Sequence, residues 1–178
     1  MTIYLAFLRA INLGPNRKFP KDDIARVVTD AGFADVATHI NTGNVRFDST
    51  LRSRAKIEAT LEKAFLADRG FEVPTIVYSA ADFAALAAEA SALSAERPNL
   101  ARHYVYLLKD ELPASIIEEV EATSGDVGEM VVRGRAAHAL LREGYQDGVV
   151  DPLRAAKLLG VGTSRNVNVI RALAAKWC

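Results

Sequence analysis

Short apolar runs alternate along the chain with segments whose apolar residues recur at helical spacing. Residues 3–9 are apolar at both alternating sets of positions, a pattern typical of a central strand that is covered on both faces. The elements predicted after this strand are a helix from Pro20 to Gly32, strands over 36–40 and 45–47, a helix ending at Gly70, and a strand over 73–78. Together with the first strand they give the order β-α-β-β-α-β, which is the ferredoxin-like arrangement.

The second half of the chain echoes this order without repeating the residues. The predicted elements are a helix over 80–94, a strand over 103–108, a helix over 113–120, a hairpin of 127–133 and 136–141, a helix from Asp151 to Gly160, and a final helix. We therefore predict an α+β fold of two ferredoxin-like halves packed together, with mixed or antiparallel sheets. The boundaries are 1–79 for the first half, 80–100 for a connecting helix and linker, and 101–178 for the second half with its extra C-terminal helix.

Charge and cysteine content narrow the classes of function. Lys and Arg together number 22 among the 178 residues, as do Asp and Glu, so the net charge of zero argues against nucleic acid or an anionic membrane as the main partner. Cys178 is the sole cysteine, and no apolar run approaches the ~20 residues that span a bilayer. We expect a cytoplasmic protein. Because helices cover one face of a ferredoxin-like sheet, the second half or a second copy, in a homodimer, could cover the other.

Two polar phrases stand directly beside predicted strands. Residues 9–14, Arg-Ala-Ile-Asn-Leu-Gly, follow the first strand, and Asn41-Thr42-Gly43-Asn44 joins the strands of the first hairpin. Arg9, Asn12 and Gly14 would form a positively charged loop with exposed amides, suited to an anion. The first and third strands of this topology are antiparallel neighbours, so the hairpin should lie near Arg9. The alternative is structural, with Arg9 paired to a carboxylate and a turn that requires Gly and Asn.

A third polar phrase, Thr163-Ser164-Arg165-Asn166, precedes the final helix. Hydroxyl groups, a guanidinium and a helix N-terminus are compatible with an anion site. The alternative is a serine N-cap followed by an exposed arginine. In the functional interpretation, Ser164, Arg165 and Asn166 join the residues of the other two phrases as ligand-binding residues.

The three phrases resemble those of a family of bacterial proteins known as domain of unknown function 1697. Its members typically carry a Leu-Arg-Gly-Ile-Asn-Val-Gly-like phrase, then a Ser-Gly-Asn-Val-x-Phe-like phrase, and later a Thr-Arg-Asn-Trp-like phrase. Here Ala10 stands where glycine is usual, and Val167 where tryptophan is usual. The resemblance covers nearly the whole chain and is strongest over 1–79. The chemistry of that family is not established, so the resemblance does not imply an activity.

The RNA recognition motif has this same topology, so its consensus residues can be compared with those of this chain. Tyr4 suits the stacking position of the first strand. The third strand does not fit, because residues 40–44, Ile-Asn-Thr-Gly-Asn, replace the basic residue and outward aromatic residues of that motif. Only Val45 and Phe47, on the buried side, are kept. The pattern supports the fold and argues against nucleic-acid binding.

Residues for catalysis or metal binding do not form a recognisable motif. His39, His103 and His138 are scattered and lack the spacing of metal ligands, so each is predicted to be a strand residue with a local hydrogen bond. The chain contains no nucleophile elbow, HExxH or Walker segment. We predict no metal site, and the sequence identifies neither a catalytic residue nor a cofactor.

Three functions fit these observations. The first is binding of a small anionic ligand, nucleotide-like or phosphorylated, in a cleft near the end of the first strand. The second is an enzyme of unknown reaction that uses the same cleft. The third is a structural or protein-interaction module in which the polar phrases only hold loops in place.

Overall fold

The computed structural model describes all 178 residues. The chain divides into two compact units, one formed by Met1–Ala84 with Lys176–Cys178, the other by Ala85–Ala175. The structure contains two four-stranded sheets, each antiparallel throughout, and five α-helices. The predicted α+β class with two similar halves is therefore confirmed. None of the helices combines the length and the hydropathy that crossing a bilayer requires.

The first sheet has the strand order β2-β3-β1-β4, the ferredoxin-like order. Its central strand β1 pairs with both β3 and β4, as the apolar pattern at both alternating positions predicts. The elements in chain order are β1 (Thr2–Leu8), α1 (Lys21–Asp30), β2 (Ala34–His39), β3 (Asn44–Ser49), α2 (Arg54–Arg69), β4 (Thr75–Ser79) and α3 (Ala80–Ala95).

The two faces of β1 contribute to different apolar clusters. Tyr4, Ala6 and Leu8 pack with residues of α1 and α2 in the main core of this unit. On the opposite face, Phe7 stacks on Phe83 of α3, with ring centroids 5.2 Å apart. All of these side chains are buried. Burial on both faces explains why β1 lacks the alternation of apolar and polar residues that a half-exposed strand shows.

The second sheet has the order β6-β7-β5-β8. In both sheets, therefore, the strands that come second, third, first and fourth along the chain lie side by side in that order. Its elements are β5 (Leu100–Leu108), α4 (Ala114–Glu121), β6 (Gly128–Arg133), β7 (Ala136–Arg142), a short 3-10 helix (Ala156–Leu158), β8 (Gly162–Asn166) and α5 (Val167–Trp177). Residues of α4 and of the segment before β8 pack on one face of this sheet, and Leu93 of α3 packs against Val131 and Leu140 on the other.

Two predictions for the second unit are wrong. The helix expected from Asp151 to Gly160 is a single 3-10 turn, and Arg154 within that stretch has a φ of +57°. The polar phrase at 163–166, for which no strand was predicted and whose alternative interpretation was a serine N-cap, forms most of strand β8. Buried Ala155 and Leu159 explain the first error, because they anchor an irregular segment but stand four residues apart, a spacing that also suits a helix.

One edge of each sheet is bonded to the helix that precedes its edge strand. In the first unit, Glu62 and Glu58 of α2 accept hydrogen bonds from the amides of Thr75 and Val77 in β4, at 2.9 and 3.1 Å. In the second unit, Glu121 of α4 accepts from the amide of Val132 in β6, and Ser124, just beyond α4, accepts from that of Met130, both at 3.0 Å. These amides face away from the neighbouring strand, so side chains satisfy donors that the ladder leaves unpaired.

Candidate functional site

The structure brings the first two polar phrases together at the end of β1. The amide of Leu8 donates to the carbonyl oxygen of Gly43 at 2.9 Å. The side-chain amide of Asn12 donates to the carbonyl oxygen of Asn41 at 2.8 Å. The hairpin between β2 and β3 therefore contacts the loop that follows β1, which confirms the adjacency predicted from the topology.

Most polar side chains of these phrases bond to the protein itself. Asn12 Nδ2 also donates to the Phe19 carbonyl at 3.2 Å, and Asn12 Oδ1 accepts from the Phe19 amide at 2.9 Å. Asn44 is only 1% exposed, and its Nδ2 donates to the His39 carbonyl and to Thr42 Oγ1 at 3.0 and 2.9 Å. Asn12 thus joins the loop to the hairpin, and Asn44 closes the hairpin from inside.

Arginines at this end of β1 differ in what they contact. Arg17 donates through Nε to the Ala10 carbonyl and through Nη2 to the Glu72 carbonyl, each at 2.6 Å. Its guanidinium also lies 4.6 Å from the centre of the Phe71 ring. Arg17 therefore fixes the loop, whereas the Arg9 side chain is exposed to solvent. Arg9 is the one cationic residue among those predicted to bind a ligand at this end of β1, and its side chain faces solvent.

Gly43 and Gly14 form a matched pair for testing how tightly this corner is packed. Both have positive φ, +79° and +74°, but a Cβ at Gly43 would lie 2.8 Å from Leu8 Cβ, whereas one at Gly14 would meet no atom within 4 Å. We expect Gly14→Ala to cost about 1 kcal/mol through backbone strain, and Gly43→Ala about 2 kcal/mol more through overpacking. Urea unfolding of both variants measures this difference. Equal losses of stability in the two variants would show that Leu8 moves away from the added methyl group at no cost in free energy.

The third predicted phrase belongs to the second unit. In β8, Arg165 is 8% exposed and donates through Nη1 to Thr163 Oγ1 and to the Ser164 carbonyl at 2.9 and 2.8 Å. Burial lowers the pKa of its guanidinium to about 10. Asn166 Oδ1 accepts from the amide of Asn168 in the first turn of α5, at 2.9 Å. The N-terminus of α5 is therefore capped by Asn166 rather than by Ser164.

A pair of buried histidines is the feature that the sequence did not predict. His103 Nε2 and His138 Nδ1 lie 3.0 Å apart, and His103 Nδ1 lies 2.7 Å from Ser94 Oγ. The register of β5 against β7 places His103 opposite Leu140, so His138, two residues along β7, shares its face. The histidines are 35 residues apart in sequence, and only this register could have revealed the pair.

Both histidine rings are neutral at physiological pH. Burial, with the positive charges of Arg171 and Arg97, lowers the pKa of His103 to about 4. Burial also lowers the pKa of His138 to about 3, with His103 and two arginines adding to the effect. Burial is the largest cause of both shifts, and the positive charge of nearby arginines adds to it.

A cavity of about 420 Å³ opens beside this pair in the second unit. Ser94 and His103 form part of its wall, and its other polar side chains are all cationic or neutral: Arg97, Asn99, Arg102, Asn166, Asn168 and Arg171. It lies at the N-terminus of α5, where backbone amides carry partial positive charge. Of the predicted binding residues, Asn166 lines this cavity.

The arginines of the cavity differ in their partners. Arg97 forms salt bridges with Glu96 and Glu129. Arg171 is held by neutral groups, because its Nε donates to Ser91 Oγ at 3.1 Å and its Nη1 to Asn168 Oδ1 at 3.3 Å. Arg102 donates to the Ala101 carbonyl at 3.0 Å. The partners of Arg171 and Arg102 orient positive charge without neutralising it.

A neighbouring cavity of about 380 Å³ has a different electrostatic character. Two carboxylates, Glu129 and Glu143, line it together with two arginines, Arg97 and Arg142. Mixed charge of this kind suits internal salt bridges better than an anionic ligand. The cavity beside His103 is therefore the stronger candidate site.

Comparison with known proteins agrees with the fold. The structure of a conserved bacterial protein, SP0830 from Streptococcus pneumoniae, superimposes with a TM-score of 0.75 at 22% sequence identity, covering 99% of this chain and 98% of that one. At this identity the similarity establishes the fold alone. No curated protein matches the sequence. Residues 1–138 match the family described as protein of unknown function DUF1697. The chain is therefore a member of the DUF1697 family.

Proposed function

We propose that the protein binds a small anionic ligand, nucleotide-like or phosphorylated, in the cavity of the second unit that Arg171, Arg102 and Asn166 line. The observation that carries the proposal is the environment of Arg171. Two neutral side chains hold its guanidinium at the cavity wall, so its charge is oriented and not offset by those partners. Guanidinium groups in such fixed positions favour planar or tetrahedral oxyanions.

The surroundings of the cavity add to this preference. The N-terminus of α5 contributes partial positive charge from its first amides, with Val167 and Asn168 on the wall. Burial is the main reason that His103 is neutral, and the positive charges of Arg171 and Arg97 add repulsion of a further cation in the same wall. A cationic ligand would meet the same repulsion, whereas an anion would relieve it.

Binding is tested with inorganic phosphate and AMP as probes in a thermal-shift titration. We expect both to raise the melting temperature of the wild-type protein, and Arg171→Ala to weaken the apparent affinity about 10-fold or more. Arg52→Ala, at an exposed arginine of the first unit, is the matched control for lost charge. No shift with either probe at millimolar concentration would contradict the proposal.

The same titration separates the cavity from the position that the sequence predicts. If the ligand binds at the end of β1, Arg9→Ala abolishes the shift and Arg171→Ala retains it. The opposite result assigns binding to the cavity beside α5. The exposed Arg9 side chain makes this alternative testable without disturbing the core.

A further inference from the structure

Three side chains in the second unit form one continuous hydrogen-bonded chain that begins at the cavity. Ser94 Oγ lies 2.7 Å from His103 Nδ1, and His103 Nε2 lies 3.0 Å from His138 Nδ1. Ser94 and His103 line the cavity, whereas His138 is fully buried behind them. A hydroxyl, an adjacent imidazole and a third group that orients the imidazole are the parts of an activated nucleophile.

The backbone explains how these residues meet. Ser94 lies in the last turn of α3, and His103 lies in β5, which begins at Leu100 after a short reversal of the chain. Asn99 makes that reversal with a φ of +77°. His138 reaches the pair through the antiparallel register of β7 on β5. Each member of the chain is thus fixed by regular structure rather than by a loop.

We propose that Ser94 is a catalytic nucleophile, with His103 as its general base and His138 as a positioning residue, in the hydrolysis of an ester that carries an anionic group. This activity goes beyond ligand binding. Arg102 and Arg171 in the cavity wall would hold the anionic group and stabilise negative charge on the carbonyl oxygen.

The proposed reaction has two balanced steps. Ser94 Oγ forms a bond to the ester carbon while its proton moves to His103 Nδ1. The ester C–O bond then breaks, and the leaving alkoxide takes that proton and departs as an alcohol. In the second step, water attacks the carbonyl carbon of the acyl-serine and gives a proton to His103. The bond from that carbon to Ser94 Oγ then breaks, the proton moves from His103 to Ser94 Oγ, and the carboxylic acid leaves.

Tautomers decide which atom can receive the serine proton. His103 Nδ1 can accept it only when the His103 proton is on Nε2 and is donated to His138 Nδ1. His138 then carries its own proton on Nε2, a buried atom without a hydrogen-bond partner. The chain therefore ends at a neutral imidazole and not at a carboxylate. Unlike a carboxylate, this neutral group orients His103 without raising its basicity by charge.

Burial has the largest effect on how strongly His103 attracts a proton, and charges on neighbouring elements modify it. Arg171 of α5 and Arg97, just beyond α3, oppose its protonation, and Glu129 of β6 forms a salt bridge with Arg97 that moderates the effect of that arginine. Arg133 of β6 acts on His138, and Glu89 of α3 lies 3.7 Å from Arg133. An anionic substrate among these arginines would offset their charge, so His103 becomes a better base when the substrate is bound.

An uncharged alkyl fluorophosphonate tests the nucleophile directly. Attack by Ser94 Oγ on phosphorus forms an Oγ–P bond and expels fluoride, and the serine proton is taken up by His103. We expect one covalent adduct on the wild-type protein, placed on Ser94 by peptide mass spectrometry and absent from Ser94→Ala. Because the probe is uncharged, labelling does not depend on anion binding. The exposed Ser115→Ala variant controls for non-specific reaction.

Variants of the histidines separate catalysis from packing. His103→Asn keeps an amide near the Nδ1 position but cannot take up a proton, and we expect it to slow labelling about 100-fold. His138→Leu should slow labelling about 10-fold, and His138→Asn, which keeps an acceptor for His103, should restore most of the rate. An unlabelled wild-type protein, or an adduct on another serine, would overturn the proposal even if phosphate and AMP bind.

Discussion

Acidification from pH 7 to pH 5 is expected to lower the free energy of unfolding by about 4 kcal/mol through the buried histidine pair alone. In the unfolded chain each histidine takes up a proton as the pH falls below 6.5. In the folded protein the pKa is lowered to about 4 for His103 and about 3 for His138. The unfolded state therefore binds more protons, and stability present above pH 6.5 is lost towards these lower values. Each ring contributes about 2 kcal/mol at pH 5.

Urea unfolding at the two pH values measures this loss. Other groups of the protein also contribute to the pH dependence of stability, so the informative quantity is a difference between proteins. We expect the double variant His103→Gln, His138→Gln to lose less stability than the wild type over the same interval, whatever its absolute stability. Equal losses in the two proteins would show that the pair is already protonated or exposed in the folded state.

Asn12→Ala is expected to cost about 4 kcal/mol, although the residue lies at the surface. Its side chain makes three hydrogen bonds, two with Phe19 and one with the Asn41 carbonyl. Each is worth about 1 kcal/mol. Asn12 also has a φ of +55°, a conformation that asparagine tolerates better than alanine, which adds about 1 kcal/mol.

Asn12→Asp is the matched variant for this prediction. It keeps an acceptor for the Phe19 amide but removes both donations, so we expect a loss of about 2 kcal/mol. Denaturant unfolding ranks the variants, and a phosphate titration of each shows whether binding changes with stability. A destabilised Asn12→Ala protein that still binds phosphate identifies Asn12 as a structural residue. Unchanged stability would mean that water replaces all three bonds.

The local patterns of the chain predicted the first unit well. Apolar residues at both alternating positions identified β1 as central, and Gly70, with a φ of +77°, ends α2 as predicted. The predicted start of the helix over 80–94 is confirmed, because α3 begins at Ala80 and the Ser79 hydroxyl accepts from the Asp82 amide at 3.1 Å. In each case one residue or a short pattern carries the physical cause, so sequence suffices.

Predictions failed where the cause lies in tertiary contacts. Strand β8 has the sequence Gly-Thr-Ser-Arg-Asn, whose polarity favours a loop, and it forms a strand because β5 offers it an open edge. The pairing of His103 with His138 depends on the register between β5 and β7, which no local pattern encodes. Asn166 was predicted as a binding residue and lines the cavity, but its neighbours there, Arg97 and Arg171, were not singled out.

The side-chain bonds along β4 and β6 also limit how this protein can aggregate. An exposed strand edge is a template on which a second chain can add by forming backbone hydrogen bonds. Carboxylates of Glu58, Glu62 and Glu121 occupy amide donors that such a strand would need. An incoming strand would have to displace these charged groups and also accommodate their negative charge beside its own carbonyl oxygens. The two edges are thereby protected from amyloid-like growth at neutral pH.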